Sequence, residues 1–250
     1  MRPITMIVPY YRQPKMLALQ LRAWCKYSPA TRENLRFIIV DDCSPEPALD
    51  VINDHDDVPL ELYRVKVDIP WNRSMARNLG SKVAETDWLL HVDTDHVLPP
   101  EAAERLVAQY VHFPRDYWYK FRRYRIGKAD ETRMKDMIPR HIEFGEIKPH
   151  VDSFLCTKDL YWKVGGYDPD YAGCLGGGGA FLRQLKVAGK ECIAPSDTYL
   201  HVYTRDKVPD SSIFTLNRDT SEYGRRRREK ERAGKTKVVN PIRYPWERVL

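Results

Sequence analysis

Leu35-Arg36-Phe37-Ile38-Ile39-Val40-Asp41-Asp42-Cys43-Ser44-Pro45 is the stretch whose reading decides the fold. Its first six residues are apolar but for Arg36. A strand with one wet face alternates apolar and polar residues. A near-continuous apolar run belongs to a parallel sheet whose two faces are both covered by helices. The run stops at two carboxylates and a Cys-Ser-Pro turn, which reads as a strand-to-helix connection. Upstream, Thr5 to Val8 is a short strand that stops at Pro9, and Gln13 to Tyr27 has helical periodicity with Met16, Leu17, Leu21 and Trp24 on one face. Downstream, Ala48 to Asn53 reads as a short helix, Leu60 to Val67 as a strand, Asn72 to Thr86 as a helix, Trp88 to Val92 as a strand and Pro100 to His112 as a helix. This alternation predicts an α/β doubly wound sheet.

In such sheets ligands bind beyond the carboxyl ends of the strands. Asp41-Asp42 and Asp93-Thr94-Asp95 both fall at strand carboxyl ends, so two separate parts of the chain point to one crevice. The i, i+2 spacing of Asp93 and Asp95 puts both side chains on one face of an extended chain. Two hard oxygen ligands suit Mg2+ or Mn2+, which commonly complete their shells with phosphates. The competing reading is a plain polar turn. There is no GxGxxG after the first strand and no GxxxxGK[ST], which argues against a dinucleotide-binding or P-loop enzyme.

The alternation weakens after residue 113. Tyr117 to Ile126 mixes aromatic and basic residues and reads as one strand; residues 127 to 150 read as a long polar loop. Ser153 to Thr157 is strand-like, Lys158 to Val164 a short helix ending at Gly165-Gly166, and the Gly176 to Gly179 run precedes another helix. The chain thus divides into residues 1–112, the half that carries both acidic strand ends, residues 113–204, the other half of the same domain, and 205–250, a basic C-terminal extension. The five cysteines are odd in number and contain no CxxC pair, which argues against structural zinc and for free thiols in a cytoplasmic setting. No apolar run approaches the roughly 20 residues of a membrane helix. Residues 225–237 carry eight basic and two acidic side chains, a net of +6 that equals the net charge of the whole chain. Such a run is either solvated helix or a contact for a polyanion.

The order of segments resembles nucleotide-sugar glycosyltransferases of the GT-A fold, nearest the family-2 group. Thr5 to Arg12 is similar to that family's opening strand, Phe37 to Ser44 to its hhVDDxS strand end, Asn72 to Gly80 to its NxxxxARNxG helix, Asp93-Thr94-Asp95 to its DXD, and Phe154 to Asp168 to its GGFD segment. The resemblance implies a Rossmann-like, mostly parallel central sheet flanked by helices, in a single domain with the basic extension. It implies that Pro9 and Tyr11 border the nucleotide base and that Asp42 accepts a hydrogen bond from it. Arg77 would meet the diphosphate, Asp93 the ribose or the metal, and Asp95 the Mn2+ or Mg2+ itself, with His201 as a further ligand. Each has a structural alternative: Asp41 or Asp42 as a helix cap, Arg77 paired to a carboxylate of its own helix, Tyr11 in the core, His201 as a packed histidine.

The pattern breaks at Gly173-Cys174-Leu175-Gly176-Gly177-Gly178-Gly179, where glycines stand in place of the acidic pair that holds the general base in inverting members. Asp170, Asp168 and Asp152 are the candidate replacements, with Asp170 nearest in sequence; a retaining reaction is another way out. The resulting expectation is a metal-dependent transferase moving a sugar from a nucleotide-diphosphate sugar, with a UDP-sugar foremost, to a hydroxyl acceptor. Two alternatives stand beside it. One is a phage-type DNA glycosyltransferase that uses the 117–128 strand and the 225–237 run to hold nucleic acid. The other is a non-catalytic binding module for a nucleotide sugar or a nucleic acid.

Overall fold

The computed structural model describes residues 3–54, 58–128, 145–174, 176–204 and 221–250. Its centre is an eight-stranded sheet in the order β10-β6-β9-β4-β1-β2-β3-β12. Here β1 is Ile4–Tyr10, β2 Leu35–Asp41, β3 Glu61–Val65, β4 Trp88–His91, β6 Tyr117–Lys120, β9 Phe154–Thr157, β10 Lys190–Ile193 and β12 Trp246–Arg248. The four strands that residues 1–112 give to this sheet are all parallel, and β2 runs in register with β1 from Ile4↔Leu35 to Tyr10↔Asp41. Both central strands are almost wholly buried, which is why their sequences do not alternate. A second sheet, β5-β11-β7-β8, is formed by β5 (His96–Val97), β7 (Arg122–Lys128), β8 (Glu146–Ile147) and β11 (Tyr199–Thr204).

The helices cover the two faces as the α/β pattern requires. Pro14–Cys25 (α1), Pro29–Glu33 (α2), Ala48–Ile52 (α3) and Pro100–Gln109 (α5) are joined by α4 (Arg73–Val83), α6 (Lys158–Lys163), α7 (Gly177–Ala188) and α8 (Ser221–Arg232). One apolar cluster, with Trp24 stacked on Phe37 at 4.4 Å, fills one side of the sheet; a second, with Tyr161, Tyr167 and Phe181, fills the other. The close approach of α4 to β1 requires glycine: a Cβ at Gly80 would lie 2.5 Å from Ile7 Cγ2. No helix among the described residues is long and apolar enough to cross a membrane.

One sequence expectation is corrected. The aromatic-basic stretch 117–126 is not one strand: it breaks at the buried Phe121, β6 staying in the large sheet and β7 crossing to the small one. Residues 221–250 of the basic extension pack against the core. Trp246–Arg248 extends the large sheet antiparallel to β3, and α8 is fastened to the Pro169–Tyr171 turn. Most of the long loop expected at 127–150 (residues 129–144) and the first part of the extension (205–220) lie outside the described residues.

Candidate functional site

The crevice opens at the carboxyl ends of β1, β2 and β4, and the loops there are held in unusual backbone. Arg12, Cys43 and Trp71 all have positive φ, at 49°, 58° and 52°. Such conformations cost non-glycine residues energy and persist where surrounding contacts enforce them. After β2, the two carboxylates separate in role. Asp41 accepts from Ser44 N at 2.7 Å and Ala48 N at 2.9 Å and pairs with Arg64, so it is the residue that closes the turn into α3. Asp42 is released from that task. It is buried, receives Asn72 Nδ2 at 3.2 Å, and burial pushes its carboxyl up to about 8. Pro9 is buried and its carbonyl accepts from Thr94 Oγ1 at 2.6 Å, while Tyr11 is half-buried with its hydroxyl 3.3 Å from Asp68.

The Asp93–Asp95 turn is pinned from behind by Gln20, a fully buried side chain on α1 whose amide donates to the carbonyls of Thr94 (3.1 Å) and His96 (2.6 Å). Asp93 stands among basic side chains. The Arg77 guanidinium, fully buried on α4, grips one oxygen; His150 Nδ1 lies 3.0 Å and His96 Nδ1 3.9 Å from the other. Burial works against ionisation of Asp93, yet His150 and Arg77 hold it well below the ordinary carboxylate range. The reciprocal effect appears on His150: burial pulls its imidazole down, but Asp93 lifts it above its ordinary value. Arg77 therefore pairs with the carboxylate of the turn rather than with one on its own helix, and its Nε and Nη1 are buried without a hydrogen-bond partner among the described residues.

Asp93, His96 and His150 each bring one potential ligand atom within 4.8 Å of the others, and this is the three-ligand group that converges among the described residues. One carboxylate and two imidazoles fit a divalent transition ion such as Mn2+. Asp95 and His201 are neighbours of this group rather than members of it. Asp95 is held through its carbonyl by Tyr203 N at 3.0 Å, and His201 is buried on β11 opposite Val97 of β5. Sequence reasoning missed His150, since a lone histidine at the end of a long polar segment carries no spacing signature. It also missed Arg123, which β7 brings 3.0 Å from His96 Nε2.

The three candidate bases have different surroundings. Asp168 accepts from Asp170 N and pairs with Lys230 of α8. Asp170 pairs with Lys230 at 2.6 Å and Arg243 at 2.7 Å; against the upward push of burial, these two cations hold its carboxyl below the ordinary range. Both are thus the anchor of α8. Asp152 is fully buried beneath the glycine run, with Arg73 Nη1 2.9 Å from one oxygen and Tyr167 Oη donating to the other at 2.9 Å. A cavity of about 580 Å³ lies between α6, α7 and α8, lined by Lys163, Tyr171, Arg183, Val187 and Tyr223 among others.

The stretches read as polyanion contacts are largely engaged within the protein. In the basic run, Arg225, Arg226 and Arg227 pair with Glu222, Glu229 and Glu231. In the 117–128 stretch, Trp118, Tyr119 and Phe121 are core residues, and Arg122 pairs with Glu146.

Comparison with known proteins agrees with this architecture. Among solved structures, S. aureus TarS 1-349 in complex with UDP-GlcNAc superposes with a TM-score of 0.64 at 15% identity, over 86% of this chain and 62% of that one. The mannosyltransferase PcManGT from Pyrobaculum calidifontis, in complex with GDP-Man and Mn2+, gives 0.55 at 16% identity, over 97% of this chain and 67% of that one. At such identities the likeness is one of fold. An uncharacterized glycosyltransferase of Haemophilus influenzae is 29% identical over 104 residues, which is 42% of this chain and 33% of that protein, so the chain matches about a third of that relative's length. The family model for glycosyl transferase family 2 matches residues 5–175, well over half of the sequence and all of the motifs at the crevice. With that match, and with the mostly parallel sheet that its structural neighbours share, the chain belongs to glycosyl transferase family 2 and has the GT-A fold.

Proposed function

We propose that the protein transfers a sugar from a nucleoside-diphosphate sugar to a hydroxyl-bearing acceptor, with a divalent cation at the Asp93 cluster. The observation that carries this reading is the fully buried Arg77. It spends one nitrogen on Asp93 and keeps two buried donors without a partner among the described residues. Leaving such donors unsatisfied is costly, and an anionic oxygen satisfies them. A diphosphate lying against Asp93 supplies that oxygen.

The remaining roles follow from chemistry at each position. Pro9, Tyr11 and Asp42 line the end of the crevice where a nucleobase fits, and Asp42 in its buried setting can exchange a hydrogen bond with the base edge. Asp93, His96 and His150 would hold Mn2+ or Mg2+, with Asp95 and His201 beside them; the imidazoles favour Mn2+ of the two. Bound there, the ion offsets the charge that grows on the leaving diphosphate. The two solved structures named above are complexes with UDP-GlcNAc and with GDP-Man and Mn2+, which supports the donor class. A UDP-sugar remains the first donor to try.

The test is a thermal-shift screen of nucleotide sugars with and without Mn2+, followed by nucleotide release. A bound donor raises the melting temperature by mass action. Asp93→Asn abolishes that rise if the reading holds. A protein that binds donor but never releases nucleotide is the non-catalytic module instead. Steeply salt-dependent binding to duplex DNA identifies a nucleic-acid acceptor.

A further inference from the structure

We propose that Arg123 is a donor-binding residue that couples the two ligands of the site: it holds His96 until a diphosphate draws its guanidinium away, and only then is His96 open to a divalent cation. The proposal rests on the glycosyl-transfer reading above and adds to it a coupling between cation and donor. Arg123 lies on β7, with β11 between it and the β5 strand that carries His96. Its Nη1 is 3.0 Å from His96 Nε2. Its Nε and Nη2 both donate to the Lys148 carbonyl, Nε at 2.8 Å. Among the described residues the guanidinium has no carboxylate partner. Burial lowers it from its ordinary value, while Asp93 and Asp95 act the other way from a distance.

The hydrogen-bond directions around His96 are forced. A guanidinium has donors and no acceptor, so Nε2 supplies the lone pair to Arg123. A ring that accepts at Nε2 carries its proton on Nδ1, which donates to Ser153 Oγ at 2.6 Å. Ser153 Oγ also accepts the Asp93 backbone N–H at 3.3 Å, so the ring is tied to the acidic turn. An imidazole nitrogen ligates only through an unused lone pair. At Nε2 that pair is spent on Arg123. At Nδ1, 3.9 Å from Asp93 Oδ2, a proton is in the way, and shifting it to Nε2 would set one N–H against another. By either nitrogen, His96 becomes a ligand only when Arg123 withdraws.

A diphosphate is the ligand that makes Arg123 withdraw. The guanidinium now rests on a carbonyl and a neutral imidazole. Phosphate oxygens offer it charge-assisted, bidentate hydrogen bonds, roughly twice as strong as neutral ones. The two arginines flank the Asp93 carboxylate: Arg77 meets Oδ1, while His96, with Arg123 behind it, stands on the side of Oδ2. A diphosphate against Asp93 therefore has a guanidinium on either hand. Arg77 is fully buried and fixed, whereas Arg123 is half-buried and is the one with room to turn. Linkage is reciprocal: the factor by which the diphosphate raises cation affinity through this exchange is the factor by which the cation raises diphosphate affinity.

The experiment is calorimetry on the full chain with Mn2+ alone, UDP or GDP alone in EDTA, and Mn2+ at saturating nucleotide. Arg123→Met keeps the apolar stem and removes the donors. It is expected to bind Mn2+ alone about fivefold or more tightly than wild type and UDP in EDTA about tenfold more weakly. Uridine, which has no phosphate, should bind both alike. Removing a positive charge strengthens any nearby cation site, so the deciding comparison repeats the substitution in a His96→Ala background. There Arg123→Met should change Mn2+ affinity by less than about twofold. Equal tightening in both backgrounds overturns the proposal, because charge alone then acts. So does unchanged Mn2+ affinity, or undiminished UDP affinity, in Arg123→Met. Imidazole nitrogen NMR needs no change at position 123: in metal-free wild type, UDP should shift the His96 Nε2 resonance and uridine should not. A His96 signal indifferent to UDP overturns the proposal. Wild type that binds UDP but takes up no Mn2+ defeats the coupling alone. Wild type that binds neither UDP nor GDP defeats the glycosyl-transfer reading and the proposal with it.

Discussion

Asp93 and Asp152 are two buried carboxylates gripped by one helix, and the contrast between them separates the two halves of the site. Asp93 keeps 18% of its side chain open, with the Arg77 guanidinium at one oxygen and the His150 and His96 imidazoles at the other. Asp152 is closed off entirely and meets one arginine and one phenol. A carboxylate crowded by cations is a poor proton acceptor but a good anchor for a cation or a ribose. One closed off from solvent with a single arginine and a neutral hydroxyl ties α4 to Tyr167 and the start of α7. Identical side chains, each paired to an arginine of α4, are thereby fitted for different work by what else surrounds them.

The largest effect should come from breaking the two grips separately. Arg77→Ala strands a buried carboxylate, which typically costs about 3–5 kcal/mol, and it should abolish the Mn2+-dependent melting-temperature rise with donor. Arg73 is 28% exposed, so Arg73→Ala should cost less, about 1–2 kcal/mol after allowance for solvent screening. It should leave donor affinity nearly intact. Urea denaturation and calorimetry on the two variants check both halves; equal loss of donor affinity would erase the distinction.

Next in size is a pair of glycine substitutions. Gly178→Ala drives a methyl group into the Asp152 carboxylate and should destabilise by about 1–3 kcal/mol, as overpacking does. Gly179→Ala meets only ordinary contact and should be near neutral, as urea denaturation of the two variants will show. Comparable behaviour of the two would show that the carboxylate yields freely.

A smaller, pH-dependent effect belongs to Asp42. Its folded carboxyl is raised to about 8 by burial, above its unfolded value near 3.8. Folding therefore favours the protonated form, so this group's contribution to stability declines as pH rises from about 4 and levels off above about 8. The slope is at most about 1.4 kcal/mol per pH unit. Asp42→Asn, which keeps the Asn72 contact but carries no charge, should flatten the thermal stability profile across that range. An unchanged profile would place the titration elsewhere.

The same contrast explains what could be read from the sequence. The donor half is written in contiguous runs: Phe37 to Ser44, Asn72 to Gly80 and Trp88 to His96 each carry a strand or helix and its site residues together. Hydrophobic periodicity therefore located the fold, and the candidate site residues sit on the elements it marked. The other half is assembled from partners distant in sequence. Asp152 answers Gly178, Lys230 answers Asp168 and Asp170, and His150 answers Asp93. Nothing local in Gly176 to Gly179 tells whose carboxylate fills the space above them, and proximity in sequence pointed to Asp170, which two cations already occupy. The break at Phe121 was hidden for a related reason: β6 and β7 share one aromatic-basic composition, and composition does not say which sheet a strand will join.

The short strand Trp246–Arg248 has a consequence for how the molecule behaves in a crowd. It lies along β3, with Lys66 and Glu247 paired at 2.6 Å beside it and Trp246 set edge-on to Tyr63. Without it, β3 would present a row of unpaired amides and carbonyls, a template on which another chain could build. The C-terminal strand thus acts as a selvedge that keeps the parallel sheet from fraying into its neighbours. Material cut short before residue 246 should aggregate readily, even though none of the residues at the crevice has been touched.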